Sequence, residues 1–437
     1  MDDRIIRDRP SPFSKLISAG RDRLGTVSGT SLVRSATPAA LRLGGAVLQF
    51  VATLLIARTL GASRSGDFFF WSSVFRTTGQ ATTFGLDRLA LRQVPRMEDS
   101  PGAVSAYCAP VRVAILLLAC VAAGLVIGYA LLLNPDPTRP GWWYLLPPAC
   151  IGGVALCMFH GDIMNGRGRP VVAVLYRHTL PTAAFVVALV FAVRFATTDQ
   201  LLACFALTFA AAGLGALLGP GFRGDGPYFR LPTVAEFKDQ LKQGSPIFLC
   251  SAFHAFTFMV PLALLEWHHP SDQIAYFTTA YRIFVLFEVL SMAVHSLAMP
   301  ALSKAGLSDD RVQLRRIYKD SVFKGFLFLG PPMLGCLVLA GPVTAIFGDE
   351  FRNAGPVLQT LLALGMLSLA CGPATSLVLM IGRTGRMATY AFWRFAAAIV
   401  LSLFLVPRFG PVGMAAALGV GLLLEKGLCL LHLRPAK

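Results

Sequence analysis

Apolar runs of about 18 to 25 residues recur along almost the whole chain, each long enough to cross the ~30 Å hydrocarbon core of a bilayer as a helix. A single soluble core could not hide that much apolar surface. Of the 437 residues, 55% are hydrophobic and 14% charged, where soluble domains usually carry charge on about a quarter of their positions. In hydrocarbon every backbone N–H and C=O must be satisfied within its own segment, so runs of this length become helices. The fold class this dictates is an all-α polytopic membrane protein.

A window of about nineteen residues predicts twelve spans, near 36–58, 67–91, 109–133, 142–164, 170–194, 199–219, 245–267, 273–301, 321–347, 354–381, 387–407 and 411–432. The formal charge of +16 lies mostly in the short loops between them. The inner side of this threading collects residues such as Arg4, Arg7, Arg92, Arg96, Arg167, Arg169, Lys238, Lys242, Arg315 and Arg316. The outer side has Arg58, Arg64, Arg139, Arg194, Arg352 and Arg408. That bias of about three to one predicts both termini on the cytoplasmic side and accounts for the basic surplus without nucleic acid. The first run follows an Arg-rich stretch with no A-x-A-like cleavage site, so the expected insertion signal is the first helix itself. Nine cysteines, Cys108, Cys120, Cys150, Cys157, Cys204, Cys250, Cys336, Cys371 and Cys429, fall almost all within apolar runs and lack metal-ligand spacing.

Two basic-side segments read as amphipathic rather than spanning: Ser14 to Leu24, and Thr233 to Gln243, in which Thr233 and Glu236 have capping-box spacing. The second sits midway along the chain. The expected organisation is a basic N-terminal segment at 1–35, an N-lobe of six helices at 36–219, an amphipathic linker at 220–244 and a C-lobe of six helices at 245–437. An internal repeat supports two halves: GRGRPVVAVLYR at 166–177 resembles GRTGRMATYAFWR at 382–394, and GDFFFWSSVFR near Gly66 echoes IAYFTTAYRIF near Ile274. Duplicated six-helix halves running in the same direction imply a pseudo-two-fold axis along the membrane normal and a cavity between the lobes.

Ionisable residues inside spans are costly and mark candidate functional positions. In the second span Ser72, Arg76, Gln80, Thr83 and Asp87 share one helical face, since steps of three and four residues at about 100° each return to the same side. In the first span Arg42, Gln49 and Thr53 do the same, with Gly45 and Ala46 beside them to allow close approach. In the eighth span Glu288, Ser291 and His295 share a face with spacing suited to proton exchange, and Arg282 lies more than a quarter turn away. Arg177 and Arg394 close the two repeat copies. Bland alternatives stand beside these readings: Arg42 and Arg177 are within snorkelling reach of the basic side, Asp87 has Arg88 as a local partner, His254 fits a packing role, and Glu425 and Lys426 fit the inner interface.

The balance is cationic, with Arg42, Arg76, Arg177, Arg282, Lys324 and Arg394 against Asp87 and Glu288. Guanidinium groups bind phosphate oxygens bidentately and stay charged, so such a lining favours an anionic, phosphate-like cargo. The substrate-binding set expected is Arg42, Gln49, Arg76, Gln80, Arg177, Arg282 and Arg394; the set for ion coupling is Asp87, Glu288 and His295. No Walker, dinucleotide, zinc-protease or nucleophile-elbow motif occurs and no loop is long enough for a catalytic domain, so neither an enzyme, a cofactor nor a metal is expected.

The chain resembles the multidrug/oligosaccharidyl-lipid/polysaccharide (MOP) transporter superfamily, in its polysaccharide-biosynthesis branch of Wzx-type flippases. The residues carrying the likeness are LLIARTLGASRSGDFFF at 54–70, NGRGRP at 165–170, MPALSKA at 299–305, LRRIYKDSVF at 314–323, IFGDEFRNAGPVLQTLLALG at 346–365, IGRTGR at 381–386 and LVPRFGPVGMAAALG at 405–419. The resemblance implies two six-helix bundles and export of a lipid-linked oligosaccharide by alternating access. Its cavity-lining first, second, seventh and eighth helices here contain Arg42, Arg76, His254 and Arg282. It also implies an O-antigen or exopolysaccharide cargo on undecaprenyl pyrophosphate, a bacterial inner membrane, and a polysaccharide polymerase and chain-length regulator as partners. The rival readings are an ion-coupled multidrug exporter of the same superfamily, which should show more buried carboxylates, and a membrane polymerase or ligase, which needs a large outer loop.

Overall fold

The computed structural model describes residues 29–97, 102–192, 197–218, 229–307, 311–380 and 384–433. The amphipathic Ser14–Leu24 segment lies outside them, and the second repeat copy is described only from Thr384 onward. The described residues form helices joined by short connections: α1 Gly29–Ala81, α2 Leu86–Met97, α3 Ala103–Leu132, α4 Leu146–Gly166, α5 Pro170–Val174 and α6 Leu180–Ala192. They continue as α7 Thr198–Leu218, α8 Val234–His268, α9 Ser271–Leu307, α10 Arg311–Val338, α11 Ala340–Thr344, α12 Gly355–Ala370, α13 Ala374–Met380 and α14 Thr384–Leu433.

Nine helices among the described residues are long and apolar enough to cross a bilayer, but two of them, at 42 and 45 residues, are too long for one crossing. Each breaks at a glycine: Gly61 (φ 74°, ψ 179°) divides α1, and Gly410 (φ 53°, ψ −130°) divides α14. Both lie where the sequence separates neighbouring spans. The fifth span is itself bent by 40°, with a π-helical turn at Leu175–Thr179 between α5 and α6. Counted this way the described residues make twelve crossings in two six-helix bundles, α1–α7 and α8–α14. The face on which α1 begins is called the basic face below, after its Lys- and Arg-rich loops, and the other the far face.

The segment read as a separate amphipathic linker is continuous with the seventh span. Thr233 caps the helix through its hydroxyl, which accepts from the Glu236 N–H, while the Glu236 carboxylate accepts from the Thr233 N–H at 2.8 Å. Arg230 donates to the same carboxylate at 2.6 Å, and these donors hold the exposed Glu236 below the usual carboxylate range. With its N-terminus satisfied, α8 runs without a break from Val234 to His268.

The lobes meet most extensively where α9 packs on α1. Hydrogen bonds among the described residues tie them at the far face, including Arg58 Nε to the Ile346 carbonyl at 2.8 Å, the Ala62 N–H to Glu350 Oε1 at 2.8 Å, and Asn134 Nδ2 to Glu266 Oε1 at 3.3 Å. Phe50 adds an edge-to-face contact with Phe347 at 5.4 Å, and Gly66 lies so close to the Ser271 backbone that a Cβ has no room. At the basic face the link is narrower. Phe84, in the left-handed region at φ 50°, stacks on Phe248 at 4.2 Å.

Within the N-lobe, Phe68, Phe69, Phe70, Trp71, Phe75 and Trp143 form a buried aromatic core. Arg139 closes its far end with its guanidinium 4.8 Å from the Trp71 ring and 4.9 Å from Trp143, and donates to the Asn134 carbonyl at 2.8 Å. This core fixes the second span, which presents its polar stripe to the interior.

The Gly61 corner combines a backbone conformation closed to other residues with a Glu350 oxygen 3.1 Å from where a Cβ would stand. Gly61→Val is expected to cost about 1–3 kcal/mol, seen as a lower unfolding midpoint of the detergent-solubilised protein, with a loss of the Ala62–Glu350 contact. An unchanged midpoint would refute this account of the corner.

Candidate functional site

Between the lobes lies a cavity of about 880 Å³, at the upper end of the ~300–1,000 Å³ of small-molecule sites. Its wall runs from Ile56 and Phe68 toward the far face down to Asp87 and Arg88 at the basic face, and takes in residues of every span but the third and the ninth among the described residues. The far half is aromatic, with Phe68, Phe69, Phe185, Phe205 and Phe209; the middle and the basic-face end are polar.

The second span supplies the polar middle. Ser72, Arg76 and Gln80 reach the cavity wall as their common helical face requires, and so do Gln49 and Thr53 from the first span. Thr83 and Asp87 also line it, but not on that helix, because the span expected to run to residue 91 breaks after Ala81 into a turn with Phe84 and Gly85 at positive φ and resumes as α2. Arg282 enters from α9 and donates from Nη1 to Gln49 Oε1 at 3.0 Å, across the lobe boundary, and its buried Nε has no hydrogen-bond partner. Arg76 stands within electrostatic reach of Arg282. Among the described residues no carboxylate forms an ion pair with either.

The other lining arginines are neutralised. In the N-lobe the π-helical turn swings Arg177 inward, where Nη1 donates to Asp162 Oδ1 at 2.5 Å and Nη2 lies 3.9 Å from Asp87 Oδ2. Arg88 adds Nε 3.7 Å from Asp162 Oδ2 and 4.0 Å from Asp87 Oδ2. In the C-lobe Arg394 Nη1 donates to Glu425 Oε2 at 2.9 Å, with the Glu425 side chain 3% exposed. Glu288 lines the cavity in the electrostatic field of Lys426, whose Nζ donates to the Ser368 carbonyl at 3.1 Å. With the charges behind the wall included, the acidic and basic partners cancel and leave Arg76 and Arg282. Two guanidiniums without a carboxylate partner in a cavity of low dielectric have the chemistry to pair with an anion.

Eight of the ten residues named from sequence therefore share one cavity: Gln49, Arg76, Gln80, Asp87, Arg177, Arg282, Glu288 and Arg394. Two do not reach it. Arg42 is exposed on the basic-face part of α1, close enough to Arg177 for their charges to interact. His295 is buried, with Nδ1 3.3 Å from the Ser291 hydroxyl, and is not brought to Glu288. Lys324 is exposed and paired with Asp320 at 2.7 Å, so it adds nothing to the cavity. Sequence reasoning did not name Asp162 and set Glu425 and Lys426 aside as inner-interface charges. The signal was present, since all three are charges inside apolar spans. Each lies within a few residues of the basic face, where snorkelling accounts for a charge as readily as pairing does.

The family model described as "Polysaccharide biosynthesis protein" matches residues 39–305. Two relatives from Haloferax volcanii are similar over part of the chain. A probable flippase, AglR, is 23% identical over 35% of this chain and 33% of its own length. A probable low-salt glycan biosynthesis flippase, Agl15, is 27% identical over 32% of this chain and 30% of its own. The matched region thus spans about a third of these curated relatives. Among solved structures, the lipid II flippase MurJ in an inward closed conformation superposes with a TM-score of 0.72 at 15% identity, covering 90% of this chain and 87% of that one. An inward-facing multidrug resistance MATE family transporter of the MOP superfamily gives 0.60 at 14% identity, over 89% and 94%.

Removing one charge of the Arg394–Glu425 pair leaves the half-buried guanidinium without its counter-charge. Glu425→Gln is expected to cost about 1.5–3 kcal/mol, read as a lower thermal midpoint. The apolar double variant Arg394→Met/Glu425→Leu should recover most of it, and a double variant no more stable than Glu425→Gln would show that the pair is not what holds these spans together.

Proposed function

The chain belongs to the polysaccharide biosynthesis protein family, and from that premise we propose that it is a flippase whose cargo is an oligosaccharide linked to undecaprenyl pyrophosphate. The cargo would be an O-antigen or exopolysaccharide repeat unit, carried from the cytoplasmic to the outer leaflet of a bacterial inner membrane by alternating access. The observation that carries this reading is the pair Arg76 and Arg282. They are two cavity arginines from different lobes without carboxylate partners, placed where a pyrophosphate would supply the missing charge. Gln49 and Gln80 offer amide donors beside them.

The aromatic half of the cavity suits sugar rings, which present apolar faces and hydroxyl edges, and the polyprenyl tail stays in lipid between the lobes. Because Arg76 and Arg282 come from opposite lobes, a pyrophosphate bound to both adds attraction across the boundary and screens their mutual repulsion. It thereby changes the relative energy of the two access states, as a transported ligand must. Arg42 gathers the phosphate at the basic face, and Arg177 and Arg394 become available when their carboxylates release them. Asp87, Glu288 and His295 are the groups through which an ion gradient would act. A polysaccharide polymerase and a chain-length regulator would take the delivered unit.

Arg76→Ala and Arg282→Ala are each expected to abolish delivery of lipid-linked oligosaccharide to the outer leaflet while leaving a folded, inserted protein. The check is a deletion strain complemented with each variant and assayed for polysaccharide output and for lipid-linked oligosaccharide retained on the inner face. Normal output from Arg76→Ala would sink the assignment.

A further inference from the structure

The N-lobe wall holds a second site that the proposed anion site itself implies. Asp162, on α4, is wholly buried. Its Oδ1 accepts from Arg177 at 2.5 Å, and its buried Oδ2 accepts no hydrogen bond, with Arg88 Nε 3.7 Å away. Asp87, at the start of α2, is within hydrogen-bonding reach of the Asp162 carboxyl group and stands 3.9 Å from Arg177 and 4.0 Å from Arg88. The charged groups facing this carboxyl pair are Arg177 from the π-helical turn and Arg88 from α2, with Arg42 of α1 behind Arg177. His160, paired with Arg112, lies two residues back on α4 and is turned away by about 200°. Two carboxylates thus sit side by side, balanced by two guanidiniums. Asp87, Arg88 and Arg177 line the cavity and Asp162 lies behind them.

We propose that Asp87 and Asp162 form a proton-binding carboxyl pair that takes up one proton when the anionic group of the cargo draws Arg177 away. This rests on the reading of the cavity as a phosphate site. The steps balance in charge. A phosphate oxygen accepts the Arg177 N–H donors, Asp162 loses its 2.5 Å partner, and two adjacent buried carboxylates are left with Arg88 alone. Two like charges at that separation do not both stay ionised. A proton from the water of the cavity binds one oxygen and is shared as an O–H···O hydrogen bond between the two side chains, which also satisfies the orphaned Asp162 Oδ2. Proton and anion then bind in each other's favour, by linkage. The proton accompanies the cargo in this scheme and is not exchanged against it. Asp162 reaches the phosphate only through Arg177 and is a positioning residue as well as a proton acceptor.

The test uses the full-length protein purified in detergent and inorganic pyrophosphate as the probe. Isothermal titration in two buffers of different ionisation enthalpy gives the protons taken up per pyrophosphate bound. Asp162→Asn reports the probe's own protonation, because it removes the pair but keeps the cavity. Wild type should take up about one proton more than Asp162→Asn, and its affinity should rise relative to that variant by up to about tenfold per pH unit on acidification. Asp87→Asn should lose the same proton and serves if Asp162→Asn does not give a monodisperse, cooperatively melting protein. Equal proton counts in wild type and variants, with pyrophosphate bound and lost in Arg76→Ala, would overturn the carboxyl-pair proposal and leave the cargo reading standing. Absence of pyrophosphate binding to wild type would overturn both.

Discussion

Inside a bilayer a guanidinium needs a carboxylate or an anion beside it, because desolvating a lone charge costs several kcal/mol or more. That requirement orders the interior of this molecule. Arg177 has Asp162, Arg394 has Glu425, and Glu288 lies in the field of Lys426. These neutral sets let the interior spans pack as an ordinary helix bundle, with aromatic and small residues at the contacts. What the pairing leaves over is Arg76 and Arg282, and on the proposed reading their lack of a protein counter-charge makes the cavity a place for cargo.

The arrangement carries the imprint of the duplication. Arg177 and Arg394 close the two copies of the same repeat, and each is held by a carboxylate in its own lobe. Arg76 and Arg282 fall in the two segments of the weaker echo, and both face the shared cavity. Among the arginines of the repeated segments, one neutralised and one unpaired per lobe is what a pseudo-two-fold axis through the cavity produces. The far face is tied by backbone and side-chain hydrogen bonds between lobes, and the basic face by the Phe84–Phe248 stack. Any alternation of access has to exchange these contacts, and the charge state of the cavity is the natural input to that exchange because it sets the attraction between the lobes.

Much of the site was legible in advance because helical periodicity is a local property. Ser72, Arg76 and Gln80 needed only a helix to share a face, and that face is part of the cavity wall, whereas Thr83 and Asp87 reach the same wall from beyond the break after Ala81. The same rule applied to Glu288, Ser291 and His295 brings His295 to Ser291, while only Glu288 lines the cavity. The α9 helix presents Arg282 and Glu288 to the cavity, and His295, nearly two turns on, lies beyond its wall. Asp162, Glu425 and Lys426 were not legible as site residues for a different reason. A charge near the end of a span is equally compatible with a headgroup and with a partner on another helix, and only the neighbouring helix settles which.

The sequence by itself determined that the chain lives in lipid, how many times it crosses, where the polypeptide turns and which faces of its helices are polar. Those follow from the length of apolar runs and from the 3.6-residue period, both readable within a single segment. The tertiary structure alone decided which arginines are neutralised and which are free. That distinction depends on distances of a few ångströms between residues such as Arg177 and Asp162, or Arg394 and Glu425, on different helices. Charge balance in a low-dielectric interior is a property of the neighbourhood, and no segment carries its neighbourhood with it.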